Sequence, residues 1–167
     1  MTSKLLESIV AECHRIEEDS LYSSKSHYNV SDRWDKYNLW LGVPLGILTA
    51  LSGLAAVKST TSVVVMISLT ATVLTSLNTS LNPSKRAALH KASATEYNKL
   101  KNDIRIFREI ELIDTGLTQK QLKDKITYFS NRRGQLNSSS PNIPRWAFKK
   151  TQNDIQKGDA TYHVDKE

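Results

Sequence analysis

The sequence predicts an all-α membrane protein. The expected form is a two-span antiparallel transmembrane helical hairpin with long amphipathic cytosolic helices, assembling as a helical oligomer. Three observations lead there. Leu39–Ser84 contains one ionisable side chain, Lys58, in a chain of 167 residues that is 24% charged. The residues on either side show apolar positions at helical spacing. The charge is also split, with net −2 before the apolar centre and net +7 from Lys85 to Glu167. The length suits one domain better than two. On this reading residues 1–38 form a cytosolic amphipathic helix and interfacial entrance, and 39–84 the hairpin, with spans at about 39–57 and 63–82. Residues 85–136 form cytosolic helices, and 137–167 a linker and a partly disordered tail.

Taken in chain order, Leu6, Ile9, Cys13, Ile16 and Ser20 follow a 3-4-3-4 rhythm within Leu5–Tyr28, the seam of an amphipathic helix. Cys13 lies in that seam and reads as a packed apolar residue, and His14 beside it points away. A single cysteine excludes a disulfide framework and a cysteine-rich metal site. Trp34, Tyr37 and Trp40 recur every three residues where the chain enters the apolar centre, a position that favours amphipathic rings.

Leu39–Val57 is nineteen residues without a charge, about 28 Å as a helix at ~1.5 Å per residue, near the ~30 Å of a hydrocarbon core. Ser59–Ser84 is twenty-six residues without a charge. A core helix of a soluble bundle keeps a charged face to water, and neither run has one. The apolar centre starts 38 residues in, behind an acid-rich segment, which argues against a signal peptide. Arg33 and Lys36 precede the hairpin and Lys85, Arg86 and Lys91 follow it, with Lys58 in the turn Lys58–Ser62. The positive-inside rule then places both termini in the cytoplasm.

The first span carries Gly42, Gly46, Ala50 and Gly53, a groove of small residues that permits close backbone approach. Pro44 is read as near the helix start, where few hydrogen bonds are at stake. The second span carries Ser68, Thr72, Thr75 and Thr79 on one stripe, with Ser76, Ser80, Asn78 and Asn82 beside it. Two readings of the stripe stay open. The hydroxyls bond back to their own helix and join helices together, or they line a water-filled path once several copies assemble. Two helices cannot enclose a pore, so conduction requires an oligomer.

Beyond the hairpin, Arg86–Ile113 reads as an amphipathic helix with Tyr97, Leu100, Ile104, Phe107 and Asp114 on its seam. Gly116 ends it, and Thr118 with Gln121 forms a capping box for a third helix carrying Leu122, Ile126 and Phe129. Lys85, Arg86 and Lys91 suit lipid headgroups, so membrane lipid is an expected partner. The more distal Arg105, Arg108, Arg132, Arg133 and Arg145 have two readings, plain solvation or a nucleotide or short oligonucleotide ligand. Arg145–Lys150 adds Trp146 and Phe148, rings on which a base could stack. The sequence holds no HExxH, GxSxG, P-loop or glycine-rich phosphate cradle. The four histidines, His14, His27, His90 and His163, have no two at ligand spacing. Asp32 and Asp35 sit among Arg33 and Lys36 and read as surface pairing. No cofactor, metal site or enzymatic activity is expected.

The aromatic entrance DRWDKYNLWLGVPLGILTALSG and the post-span helix NPSKRAALHKASATEYNKLKNDIRIF give the layout a family likeness. Over about Ile9–Leu112 the chain resembles the SLATT family, two-transmembrane effector domains associated with prokaryotic nucleotide-signalling defence genes. No counterpart is identified for the residues after Ser138. The resemblance implies an oligomeric pore of the bacterial inner membrane, governed by a nucleotide or oligonucleotide signal that a neighbouring nucleotidyltransferase-type protein makes or senses. Membrane disruption by that pore would halt phage infection. Four subunits are expected. The rival readings are a non-conducting membrane anchor or scaffold, and a holin-like toxin that needs no ligand.

Overall fold

The apolar runs and the flanking seams all form helices. The structure, a computed structural model, describes residues 3–57, 61–113 and 116–161, and among these no strand occurs. Helix α1 spans Ser3–Val57, α2 Thr61–Leu81, α3 Pro83–Ile106, α4 Gln119–Ser139 and α5 Arg145–Gln156. A π-helical turn, Phe107–Glu111, follows α3. The expected turn Lys58–Ser62, the seam position Asp114 and the end of the tail fall wholly or partly outside the described residues.

Two differences from the sequence expectation concern α1. The amphipathic lead-in and the first apolar run are one helix of 55 residues, because no glycine or proline lies between Tyr28 and Leu41 to end it. Pro44 is therefore deep inside the helix. It has no amide hydrogen to offer the Trp40 carbonyl one turn earlier, so the expectation of a helix-start proline is corrected. Between α2 and α3, Asn82 takes φ +44°, a left-handed value that asparagine tolerates better than most residues. Backbone bonds bracket it, Asn82 N to Asn78 O at 2.9 Å and Arg86 N to Asn82 O at 3.1 Å. Pro83 then occupies the first position of α3, where its missing amide removes no helical bond.

The chain divides into two compact units, one of Met1–Val30 with Leu89–Glu167 and one of Ser31–Ala88. The first unit has the core. Ile9, Cys13 and Ile16 from α1 meet Tyr97, Leu100 and Ile104 from α3, Phe107 from the π turn, and Leu122, Phe129 and Leu136 from α4. The α4 residues are spaced by seven, so one stripe of that helix faces the core. Full burial of side chains this size stabilises by about 1.5–3 kcal/mol each. Thr118 caps α4 by accepting from Gln121 N while the Gln121 side chain accepts from Thr118 N, the expected capping box. The π turn was not expected. It bonds Leu112 N to Phe107 O at 2.9 Å and holds the fully buried Phe107 ring 5.5 Å from that of Phe129. Part of the segment read as linker and tail is helix α5. It buries Ala147 and Thr151, and the Thr151 hydroxyl accepts from Ser26 Oγ and Asn29 Nδ2 of α1, each at 3.0 Å.

The second unit has almost no buried side chains. On α1, Leu41, Leu45, Leu48, Ser52 and Ala55 are half-buried, and on α2 so are Val64, Ile67, Ala71, Leu74 and Asn78. Both rows step by threes and fours, as a helix–helix seam does. Ser52 Oγ lies 3.5 Å from Ser68 Oγ. At the other end Ser31 donates to Ala87 O at 3.0 Å and the Arg86 guanidinium lies 5.1 Å over the Trp34 ring.

Candidate functional site

The apolar surface of the second unit is uncovered. Two described helices are long and apolar enough to cross a membrane, and none of the residues in their most apolar windows is buried. Trp40 is 76% exposed and Met66 72%, with Leu39, Val43, Ile47, Leu54, Leu69 and Val73 also open. Isolated exposed apolar residues are ordinary on a water-soluble surface, but a contiguous band on two adjacent helices is not.

On α2, Ser68, Thr72, Thr75 and Thr79 are all exposed. Thr72 donates to Ser68 O, Thr75 to Ala71 O and Ser76 to Thr72 O, each at 2.8 Å. These hydroxyl protons are thus occupied within the helix, while the oxygen lone pairs face outward as acceptors. On α1, Gly42, Gly46, Ala50 and Gly53 are also exposed. A Cβ placed on Gly42, Gly46 or Gly53 would meet no atom within 4 Å. The small-residue groove is therefore not used to pack α1 on α2, and remains open on the protomer.

In the first unit, Arg105 and Arg108 line a groove of about 790 Å³ with Lys101, His14, Glu17, Glu18 and Glu109. Arg108 is mostly buried and pairs with Glu17 at 3.0 Å and with Glu109 at 2.5 Å. Arg132 lines a different pocket and pairs with Glu96. Arg133 pairs with Asp19 at 2.8 Å, and Arg145 is exposed at the start of α5. The five arginines singled out from the sequence are not gathered into one site within the protomer. Arg105 and Arg108 share a groove, and three carboxylates share it with them.

Comparison of the chain with protein-family models, with curated proteins and with solved structures finds no match. The family resemblance rests on the sequence pattern alone.

One pairing was not read from the sequence. His27 of α1 and His90 of α3 meet with their Nδ1 atoms 2.8 Å apart, 1% and 7% exposed. His27 also stacks on Tyr97 at 5.7 Å between ring centres. Burial, reinforced by the charge of His90, lowers the His27 pKa to about 4. Tyr97 is raised by its burial, and its hydroxyl donates to Asn137 Oδ1 at 2.7 Å. Burial likewise raises the Cys13 thiol to about 11, against the pull of Arg108, so Cys13 is a packed and unreactive thiol. The signal for the histidine pair lay in the seams. Continuing the α1 rhythm past Ser20 reaches Ser24 and His27, and tracing the α3 rhythm back from Tyr97 reaches Ala94 and His90.

Proposed function

We propose that this chain is the subunit of an oligomeric pore in the bacterial inner membrane, with both termini cytoplasmic. The observation that carries the reading is the bare apolar band on α1 and α2, a surface suited to lipid and to further copies of the chain. The contacts Ser31–Ala87, Trp34–Arg86 and Ser52–Ser68 pair rising numbers on one helix with falling numbers on the other, which supports an antiparallel hairpin. The open groove Gly42–Gly46–Ala50–Gly53 offers the surface for close subunit contact, in a tetramer on our reading. The hydroxyl oxygens of Ser68, Thr72, Thr75 and Thr79 would then line the path. The groove at Arg105 and Arg108 is the place for a nucleotide or short oligonucleotide gate. Such a ligand would compete with Glu17 for Arg108 and shift the pore between two arrangements by its differential affinity. Depolarisation of the membrane in anti-phage defence is the proposed outcome, with a nucleotidyltransferase-type neighbour as the source of the signal.

A second reading, a non-conducting anchor, is favoured by the hydroxyl protons of Thr72 and Thr75 being bonded back into α2. Planar bilayers containing the purified protein separate the two. The pore reading expects discrete conductance steps that respond to short oligonucleotides and that shrink in Thr72→Leu and Thr75→Leu through loss of wetting. Steps of parental size in both variants would remove the stripe from the path, and silence at every ligand and salt condition would favour the anchor.

A further inference from the structure

The seam between α1 and α3 in the first unit changes character along its length. From Ile9 to Ile16 it is apolar, against Leu100, Ile104 and Phe107. From Ser20 onward it is built of Ser20, Ser24 and His27 on α1 and of Tyr97, Ala94 and His90 on α3, all buried. Ser24 Oγ donates to Ala94 O at 2.9 Å, and Ser20 Oγ is buried without a hydrogen-bond partner. Beside the buried Ala94, Tyr97 and Val30, polar contacts hold this stretch, and the one between the imidazoles is among them.

That contact admits one arrangement of protons. At 2.8 Å, one ring carries hydrogen on Nδ1 and donates, while the other keeps a bare Nδ1 and accepts, its own hydrogen being on Nε2. A first added proton can go to the Nε2 of the donor ring and leave the bond intact. A second has only the accepting Nδ1, where it would set two N–H groups and two like charges against each other away from water.

We propose that the His27–His90 pair is a proton-operated latch on the α1–α3 seam. The seam is closed while one Nδ1–H···Nδ1 bond is shared and opens when the accepting nitrogen is protonated. The charge acting on His27 is that of His90. From α3, Tyr97 stacks on His27, and Lys91, next to His90, is exposed. From α4, the neutral Asn137 takes the Tyr97 hydroxyl, and from α5 the neutral Thr151 is bonded to Ser26 and Asn29. On the adjoining turns, Lys25 is bonded to Asp159 O and Glu96 to Arg132. The latch rests on the first unit alone and stands whether or not the chain conducts.

Amide hydrogen exchange on the full chain in nanodiscs, corrected for intrinsic rates, tests it at pH 7.5, 5.5 and 4. Peptides covering residues 20–30 and 88–97 should lose at least tenfold in protection on acidification, relative to residues 122–136 of α4. The double variant His27→Phe with His90→Leu keeps an aromatic ring over Tyr97 and should abolish that relative loss. The variant keeps the Glu17–Arg108 and Asp19–Arg133 pairs and so controls for acid effects outside the two histidines. Constant relative protection in the parent, or the same loss in the variant, overturns the proposal. Should the variant fail to fold, nitrogen NMR of the parent's histidines decides. One Nδ1-protonated and one Nε2-protonated ring at pH 7.5, with His27 titrating below the ordinary histidine range, supports the latch. Identical tautomers that titrate at the ordinary pH refute it.

Discussion

Replacing Gly46 with leucine separates packing within the protomer from packing between protomers. A Cβ on Gly46 would meet nothing within 4 Å, and the position is exposed, so the larger side chain strains no contact inside the subunit. Removing a mid-helix glycine should leave α1 as stable as before, or up to about 0.8 kcal/mol more so by helix propensity. An oligomer that brings backbones together at this groove responds in the opposite sense. Overpacking a close contact typically costs about 1–3 kcal/mol, which is roughly a 5- to 150-fold loss in association constant for each interface. Sedimentation or native mass spectrometry in mild detergent should therefore show smaller species for Gly46→Leu, with unchanged far-ultraviolet circular dichroism. An unchanged mass distribution would assign assembly to the helices of the first unit instead. A loss of helix would mean that the groove packs inside the subunit, and would refute the geometry on which the argument rests.

Two further predictions concern the first unit. Phe107→Ala removes a fully buried ring from beside Phe129, and should destabilise the unit by about 3–5 kcal/mol in denaturant titrations followed in detergent; a loss below about 1 kcal/mol would displace Phe107 from the core. The lowered His27 pKa sets a pH dependence of stability. Below the ordinary value near 6.5 the unfolded chain binds a proton that the folded chain refuses until about pH 4, so stability is complete above 6.5 and falls on acidification. At about 1.4 kcal/mol per pH unit the total is on the order of 3 kcal/mol by pH 4, and His27→Phe should remove that part of the slope. A parental slope in the variant would show that the acid sensitivity does not come from His27.

What was legible in the sequence is what repeats along one helix. The spacing of Ile9, Cys13 and Ile16 and of Tyr97, Leu100, Ile104 and Phe107 marked the core because each row lies on a single face. The capping box at Thr118 was readable because its two partners are three residues apart. Features set by another helix were not readable in the same way. The π turn at Phe107 depends on tertiary packing, and α5 depends on Thr151 finding Ser26 and Asn29 across the unit. Which of the arginines share a surface was not legible for a related reason. Sequence shows the cations but not the carboxylates facing them, and Glu17, Asp19 and Glu96 lie far along the chain from Arg108, Arg133 and Arg132. The groove of glycines was legible as a groove, but which partner it faced needed the structure.

The division of the first unit between two distant stretches has a consequence for biosynthesis. Residues up to Val30 leave the ribosome with half a core and find the other half only after Leu89 has followed. Contacts such as Glu17–Arg108 and Asp19–Arg133 span 91 and 114 residues, so this unit closes late by its nature. If the residues between are threaded through a bilayer, the two stretches can meet only when the chain has crossed an even number of times. A subunit in which one apolar run failed to insert would strand Ile9, Cys13 and Ile16 on the opposite side from Phe107 and Phe129. It would carry an amphipathic helix with its apolar seam uncovered. On that condition the core of the first unit closes only in a subunit whose two apolar runs have both crossed or have both stayed out.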